Sequence, residues 1–147
     1  MIRYFDSSAL VKRYVHEKES PAVARWLRQG RAATARFTMV EIASALWRRC
    51  RIGEISGPEA ARLSASLAAD SGEVHLVEFS PAVERRARSL LEKRSLRAAD
   101  ALQLASCLLL REEVGGEVAF VGYDAKLNDA ARASGLTVLG AGPGGAT

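Results

Sequence analysis

The chain has 147 residues, 48% of them hydrophobic and 26% charged, a length and balance that allow one sizeable core and exclude wholesale disorder. Two cysteines, Cys50 and Cys107, exclude a disulfide framework and are expected as buried free thiols, which suits a reducing cytoplasm. The net charge of +4 and isoelectric point near 9.4 favour a polyanionic partner; no stretch approaches the ~20 apolar residues of a membrane span, and MIRYFD at the start lacks the regions of a signal peptide.

IRYF (2–5) is a short apolar run that predicts a strand, and Asp6 before Ser7 predicts the cap of a helix over 7–16. A helix over 21–29 ends at Gly30, and ATARF (33–37) predicts the second strand. TMVE follows, in which Thr38 and Glu41 have the spacing of a capping box at the head of a helix over 39–52. Beyond Gly53, helices are predicted over 57–70, 81–94, 98–113 and 125–134, separated by the strands VHLVEF (74–79) and VAFVGY (118–123) and followed by LTVL (136–139). Strands alternating with helices predict an α/β fold with a mainly parallel sheet covered on both faces. No repeat or linker divides the chain, so residues 1–139 are expected as one domain, and the Gly-rich end 140–147 as a mobile tail.

Four acids in this pattern each have a local explanation. Asp6 and Asp124 follow strands and can cap helices, Glu41 fits the capping box, and Asp100 sits in a first helical turn, where the dipole favours negative charge. Asp6, Glu41 and Asp124 also share a location just beyond the carboxyl ends of parallel strands, where open α/β sheets bind ligands. If Asp100 is turned to the same crevice, the charges repel by on the order of 4 kcal/mol for each pair 4 Å apart at an effective dielectric near 20. Such a cluster needs a counter-charge, and an all-oxygen carboxylate site suits Mg²⁺ or Mn²⁺. His16 and His75 lack the spacing of zinc ligands. Asp100, Gln103 and Ser106 form a polar stripe on an otherwise apolar helix and are expected to face a wet crevice.

FDSSALVKRYVHE, TMVEIASALWRR, LRAADALQLA and FVGYDAKLNDAARASGLTVL resemble, in that order, the four acidic motifs of PIN-domain ribonucleases of the VapC type, the toxins of bacterial toxin–antitoxin pairs. The resemblance spans Tyr4 to about Leu139. It implies metal-binding catalytic acids at Asp6, Glu41, Asp100 and Asp124, with Ser8 in support. It also implies a three-layer α/β/α sandwich around four or five strands in the order 3-2-1-4-5. The implied activity is a Mg²⁺- or Mn²⁺-dependent endoribonuclease leaving 5′-phosphate and 3′-hydroxyl ends, usually a homodimer, restrained by a VapB-type antitoxin docked over the groove. One departure stands out. The family often has Ser or Thr two residues before the last acid, where this chain has Gly122, and Asn128, one helical turn after Asp124, is a candidate for the missing oxygen.

RNA must also be held by its backbone, and Lys12, Arg13, Arg48, Arg49 and Arg97 lie beside the acidic motifs as candidate phosphate contacts. An aspartyl phosphatase would need a second acid two residues after Asp6, where Ser8 stands, and no G-x-G-x-x-G turn marks a dinucleotide site. The remaining alternative is a non-catalytic PIN-like module that binds RNA or protein. Four retained acids weigh against it, because a surface that only binds RNA gains nothing from clustered negative charge.

Overall fold

The structure, a computed structural model, describes residues 1–140. Five parallel strands form one sheet in the order β3-β2-β1-β4-β5, with β1 at Ile2–Phe5, β2 at Arg31–Ala35, β3 at His75–Val77, β4 at Val118–Val121 and β5 at Thr137–Leu139. Alternation along the strands divides the core. Tyr4 and Phe120, paired in register and stacked with ring centroids 5.9 Å apart, face one side, whereas Phe5 and Val121 face the other.

On the Tyr4 side lie α5 (Pro81–Lys93), α6 (Ala98–Val114) and α7 (Ala125–Ala133). Facing Phe5 are α1 (Ser7–Leu10), α2 (Ser20–Arg28), α3 (Arg36–Arg51) and α4 (Gly57–Asp70). The result is the expected three-layer sandwich. The helix α6 is buried almost all round, and Ala101, Ala105 and Cys107 let it lie close to the sheet.

Several boundaries moved. The predicted helix over 7–16 is the single turn α1 followed by a 3₁₀ turn at Val11–Arg13, and β3 keeps only three residues of its apolar run. Helix α3 starts at Arg36, directly after β2, with Ala35 at the N-cap and no side-chain cap. Thr38 lies inside the helix, so the capping box with Glu41 does not form; both side chains turn instead to Gln103. Cys50 is half-buried rather than buried, Cys107 is buried, and both are free thiols. Of the expected mobile tail, residues 141–147 lie outside the described residues. Gly140 is packed, with Gly122 O and the Tyr123 ring 2.9 Å from where a Cβ would sit. Among the described residues, no helix is long and apolar enough to cross a membrane.

The topology positions the site. From β1 the chain moves to β2 on one side, and from β4 it moves to β5 on the other, so the connections diverge and open a crevice beyond the carboxyl ends of the two central strands.

Candidate active site

Asp6 stands at the mouth of that crevice as the N-cap of α1. Its backbone N–H donates to Val121 O at 3.0 Å, and its Oδ1 accepts from Ala9 N at 2.9 Å and Ser8 Oγ at 2.7 Å. Ser8 Oγ in turn accepts from Tyr123 N at 2.9 Å, tying the exit of β1 to the exit of β4. Asp6 is 2% exposed. Burial pushes its carboxyl up to about 7; the bonds from Ser8 and Ala9 oppose the shift, and Asp100 and Asp124 add to it. Asp124 caps α7, accepting from Leu127 N at 2.9 Å, and is exposed.

Glu41 and Asp100 approach from the flanking helices. Glu41 is half-buried on α3, and its Oε1 accepts from Gln103 Nε2 at 2.8 Å. The same amide nitrogen donates to Thr38 Oγ1 at 3.0 Å, while Gln103 Oε1 accepts from Tyr4 Oη at 2.6 Å. Burial raises the Glu41 pKa, bonds from Gln103 and Ser7 pull it back, and Asp100 raises it further. Asp100 occupies the first turn of α6; burial and Asp124 raise its pKa, and Arg97 lowers it.

Asp6, Glu41 and Asp100 each feel the charge of a neighbouring acid. Among the described residues, no three Asp, Glu, His or Cys side chains gather closely enough to hold one ion. Of the three acids with shifted pKa, Asp100 alone is relieved by a cationic side chain.

Behind Asp6 the packing is tight. Asn128, buried in α7, donates from Nδ2 to Gly122 O at 2.9 Å, while its Oδ1 is buried without a partner. The polar stripe on α6 is correspondingly less wet than expected. Asp100 is half-buried at the crevice, but Gln103 and Ser106 are buried, Ser106 donating to Leu102 O at 2.7 Å.

The basic candidates separate into two groups. Lys12 is buried against Glu17 at 2.8 Å and Glu19 at 3.5 Å, Arg13 pairs with Asp70 at 2.8 Å, and Arg49 pairs with Glu17 and Glu54, each at 3.1 Å. Arg48 and Arg97 are exposed, and neither makes an ion pair among the described residues. Reading the sequence missed Gln103 as the holder of Glu41, although its place in the stripe was the available signal; Ser7 carried none. A cavity of about 880 Å³ opens at the opposite ends of the strands, near Ile2, Arg31 and His75. None of the four acids lines it, so charge rather than concavity locates the site.

The PIN domain family matches residues 3–133. Two relatives, Ribonuclease VapC45 and Ribonuclease VapC49 from Mycobacterium tuberculosis strains CDC 1551 and H37Rv, are each 32% identical over 136 residues, covering 92% of this chain and 92% of their own. Among solved structures, Mycobacterium tuberculosis VapC20, described as a sarcin-ricin loop cleaving toxin, superposes with a TM-score of 0.65 at 18% identity over 87% of this chain and 94% of its own. VapBC2 from Rickettsia felis gives 0.65 at 12% identity over 95% and 98%. A toxin-antitoxin complex from Klebsiella pneumoniae gives 0.63 at 15% over 84% and 88%. The structural likenesses establish the fold alone. Because the family match and the identity to both ribonucleases run almost end to end, this chain belongs to the PIN-domain family, in its VapC-type branch.

Proposed function

We propose that the crevice between β1 and β4 is the centre of a metal-dependent endoribonuclease, with Asp6, Glu41, Asp100 and Asp124 as its acids, and that the chain is the toxin of a VapBC-type pair. The observation that carries the reading is electrostatic. Of four acids from four parts of the chain, burial and repulsion from neighbouring acids raise three, and Arg97, acting on Asp100, is the one cationic side chain that offsets any of these shifts. A fold retains such a set where a cation neutralises it.

The donor set fits a hard divalent ion. Mg²⁺ is commonly held by one or two carboxylates and keeps several waters, which suits these acids better than a closed cage would. Two of them have one oxygen fixed and the other without a hydrogen bond, Asp6 Oδ1 being held by Ser8 and Ala9 and Asp124 Oδ1 by the start of α7, while Glu41 is held by Gln103 and Ser7. These oxygens would hold Mg²⁺ or Mn²⁺, which would supply a bound water of lowered pKa and Lewis-acid polarisation of the scissile phosphate. The chain's part is to hold the free oxygens in place and to seat the RNA backbone. Arg97 lies beside Asp100, and Arg48 lies about 10 Å further along α3 on the face that carries Glu41, so the two would take flanking phosphates.

The ribonuclease relatives support the RNA substrate, the toxin-antitoxin complex from Klebsiella pneumoniae supports an antitoxin as partner, and VapBC2 from Rickettsia felis supports one of the VapB type. We take the active form to be a homodimer. The test is incubation with a panel of structured and single-stranded RNAs, a sarcin-ricin hairpin among them, in Mn²⁺, Mg²⁺ or EDTA, beside Asp100→Asn. Cleavage to 5′-phosphate ends is expected with metal only and is lost in the variant. Cutting that persists in EDTA would overturn the mechanism.

A further inference from the structure

Gly122 stands two residues before Asp124, inside the final acidic motif, and its φ is not in the left-handed region, so its backbone does not demand glycine. Space does. A Cβ there would lie 2.8 Å from Phe120 Cε1 and 2.9 Å from both Asn128 Oδ1 and Asp6 Oδ2. The two oxygens therefore crowd one side of Gly122, within twice that distance of each other. One belongs to the first strand's exit and the other to α7.

The orientation of the Asn128 amide follows from its neighbours. Gly122 O can only accept, so the nitrogen must face it, and Oδ1 is turned the other way. There it meets no donor, although Asn128 is 2% exposed. A buried acceptor left unpaired destabilises a fold and is seldom retained without something to bind. Asp6 has already committed Oδ1 to Ser8 and Ala9, so Oδ2 is its free oxygen.

From this geometry we propose that Asn128 is a metal-positioning residue: its Oδ1 is a neutral oxygen donor beside Asp6 Oδ2 for the divalent ion, and the missing side chain at Gly122 leaves it room. The inference rests on the metal-dependent reading above and deepens it. One anionic and one neutral oxygen form a donor pair suited to a hard cation. A hydroxyl-bearing residue at 122 and an asparagine at 128 compete for the same space, so each excludes the other.

The experiment is Mn²⁺ titration of the full chain by calorimetry, with melting curves in EDTA and in Mn²⁺. Asn128→Leu is expected to weaken Mn²⁺ about tenfold and to shrink the Mn²⁺-induced rise in Tm. Asn128→Asp, which equally loses the bond to Gly122 O, should bind Mn²⁺ at least as tightly as the wild type, which separates the donor role from a structural one. Gly122→Ser should weaken Mn²⁺, and adding Asn128→Ala should restore it. Equal affinities for wild type and Asn128→Leu would overturn the inference while leaving the nuclease reading intact. If Asn128→Leu does not fold, weaker binding by Asn128→Asp overturns it instead. A wild type that binds no Mn²⁺ would overturn both.

Discussion

Gln103 Nε2 donates to Glu41 Oε1 at 2.8 Å, joining two helices whose residues are 62 positions apart. Through Oε1 the same amide accepts the buried Tyr4 hydroxyl, so one side chain couples the central strand, α3 and α6. Gln103→Leu would strand that hydroxyl in the core, at a cost of about 1–3 kcal/mol. It would also remove the bond that holds the Glu41 pKa down, leaving a larger protonated fraction of that acid. Urea unfolding should show the loss of stability, and cleavage should need more Mn²⁺ for half-maximal rate. Wild-type behaviour on both measures would sink the coupling.

What the sequence made legible was mostly local. Asp6 and Asp124 cap the helices that follow them, and Asp100 sits in a first turn, because a strand exit, a small polar residue and an apolar period are all visible within a few positions. The strand order came from family resemblance, since strand spacing alone does not choose between topologies. Glu41 was misread in its reason though not in its place: the T-x-x-E spacing suggested a cap, whereas its partner Gln103 is remote in sequence. Lys12 shows the same limit. Its ion pairs with Glu17 and Glu19 arise where the chain doubles back after the 3₁₀ turn, which a continuous helix over 7–16 would not produce. Nor could the sequence show that Asp6 of the first motif and Asn128 of the last both press on Gly122.

Asp6 carries the largest part of the pH dependence of the metal-free protein, with Glu41 and Asp100 shifted in the same direction. Its folded pKa of about 7 lies above its ordinary 3.8, so between those values the folded state binds more protons than the unfolded one. Stability is therefore greatest at the acid end of the window, falls as pH rises, and levels off above neutrality. Asp70 is shifted the opposite way by Arg13, and its contribution is lost only at lower pH. Urea unfolding in EDTA at pH 5 and pH 7.5 should differ by on the order of 2–3 kcal/mol, and Asp6→Asn should remove most of that difference. A wild-type curve flat over this range would mean that Asp6 is ionised without cost.

Asp124 offers a separation of cap from charge. Its Oδ1 accepts from Leu127 N at 2.9 Å, and asparagine caps a helix as well as aspartate does. Asp124→Asn should thus leave metal-free stability unchanged or slightly higher, because it also relieves Asp6 and Asp100. Asp124→Ala should cost about 1 kcal/mol through the lost cap. If the charge serves catalysis, both variants should lose on the order of 100-fold in cleavage rate. Full activity in Asp124→Asn would reduce the residue to a cap.

The two groups of basic residues should answer differently to salt. Arg48 and Arg97 are exposed without an ion pair among the described residues, whereas Arg49 already spends its charge on Glu17 and Glu54. Binding of uncut RNA in EDTA, measured across a range of salt, reports how many phosphates are neutralised. Each phosphate contact to single-stranded RNA steepens the dependence of log K on log salt by ~0.7. Arg48→Ala and Arg97→Ala should each flatten the slope by about that amount. Arg49→Ala should leave it unchanged and lower stability by less than ~1 kcal/mol, since its pairs are part-exposed and screened. A loss of slope in Arg49→Ala matching that in Arg48→Ala would mean that RNA displaces Glu17 and Glu54, and that the binding track takes in both arginines at the end of α3.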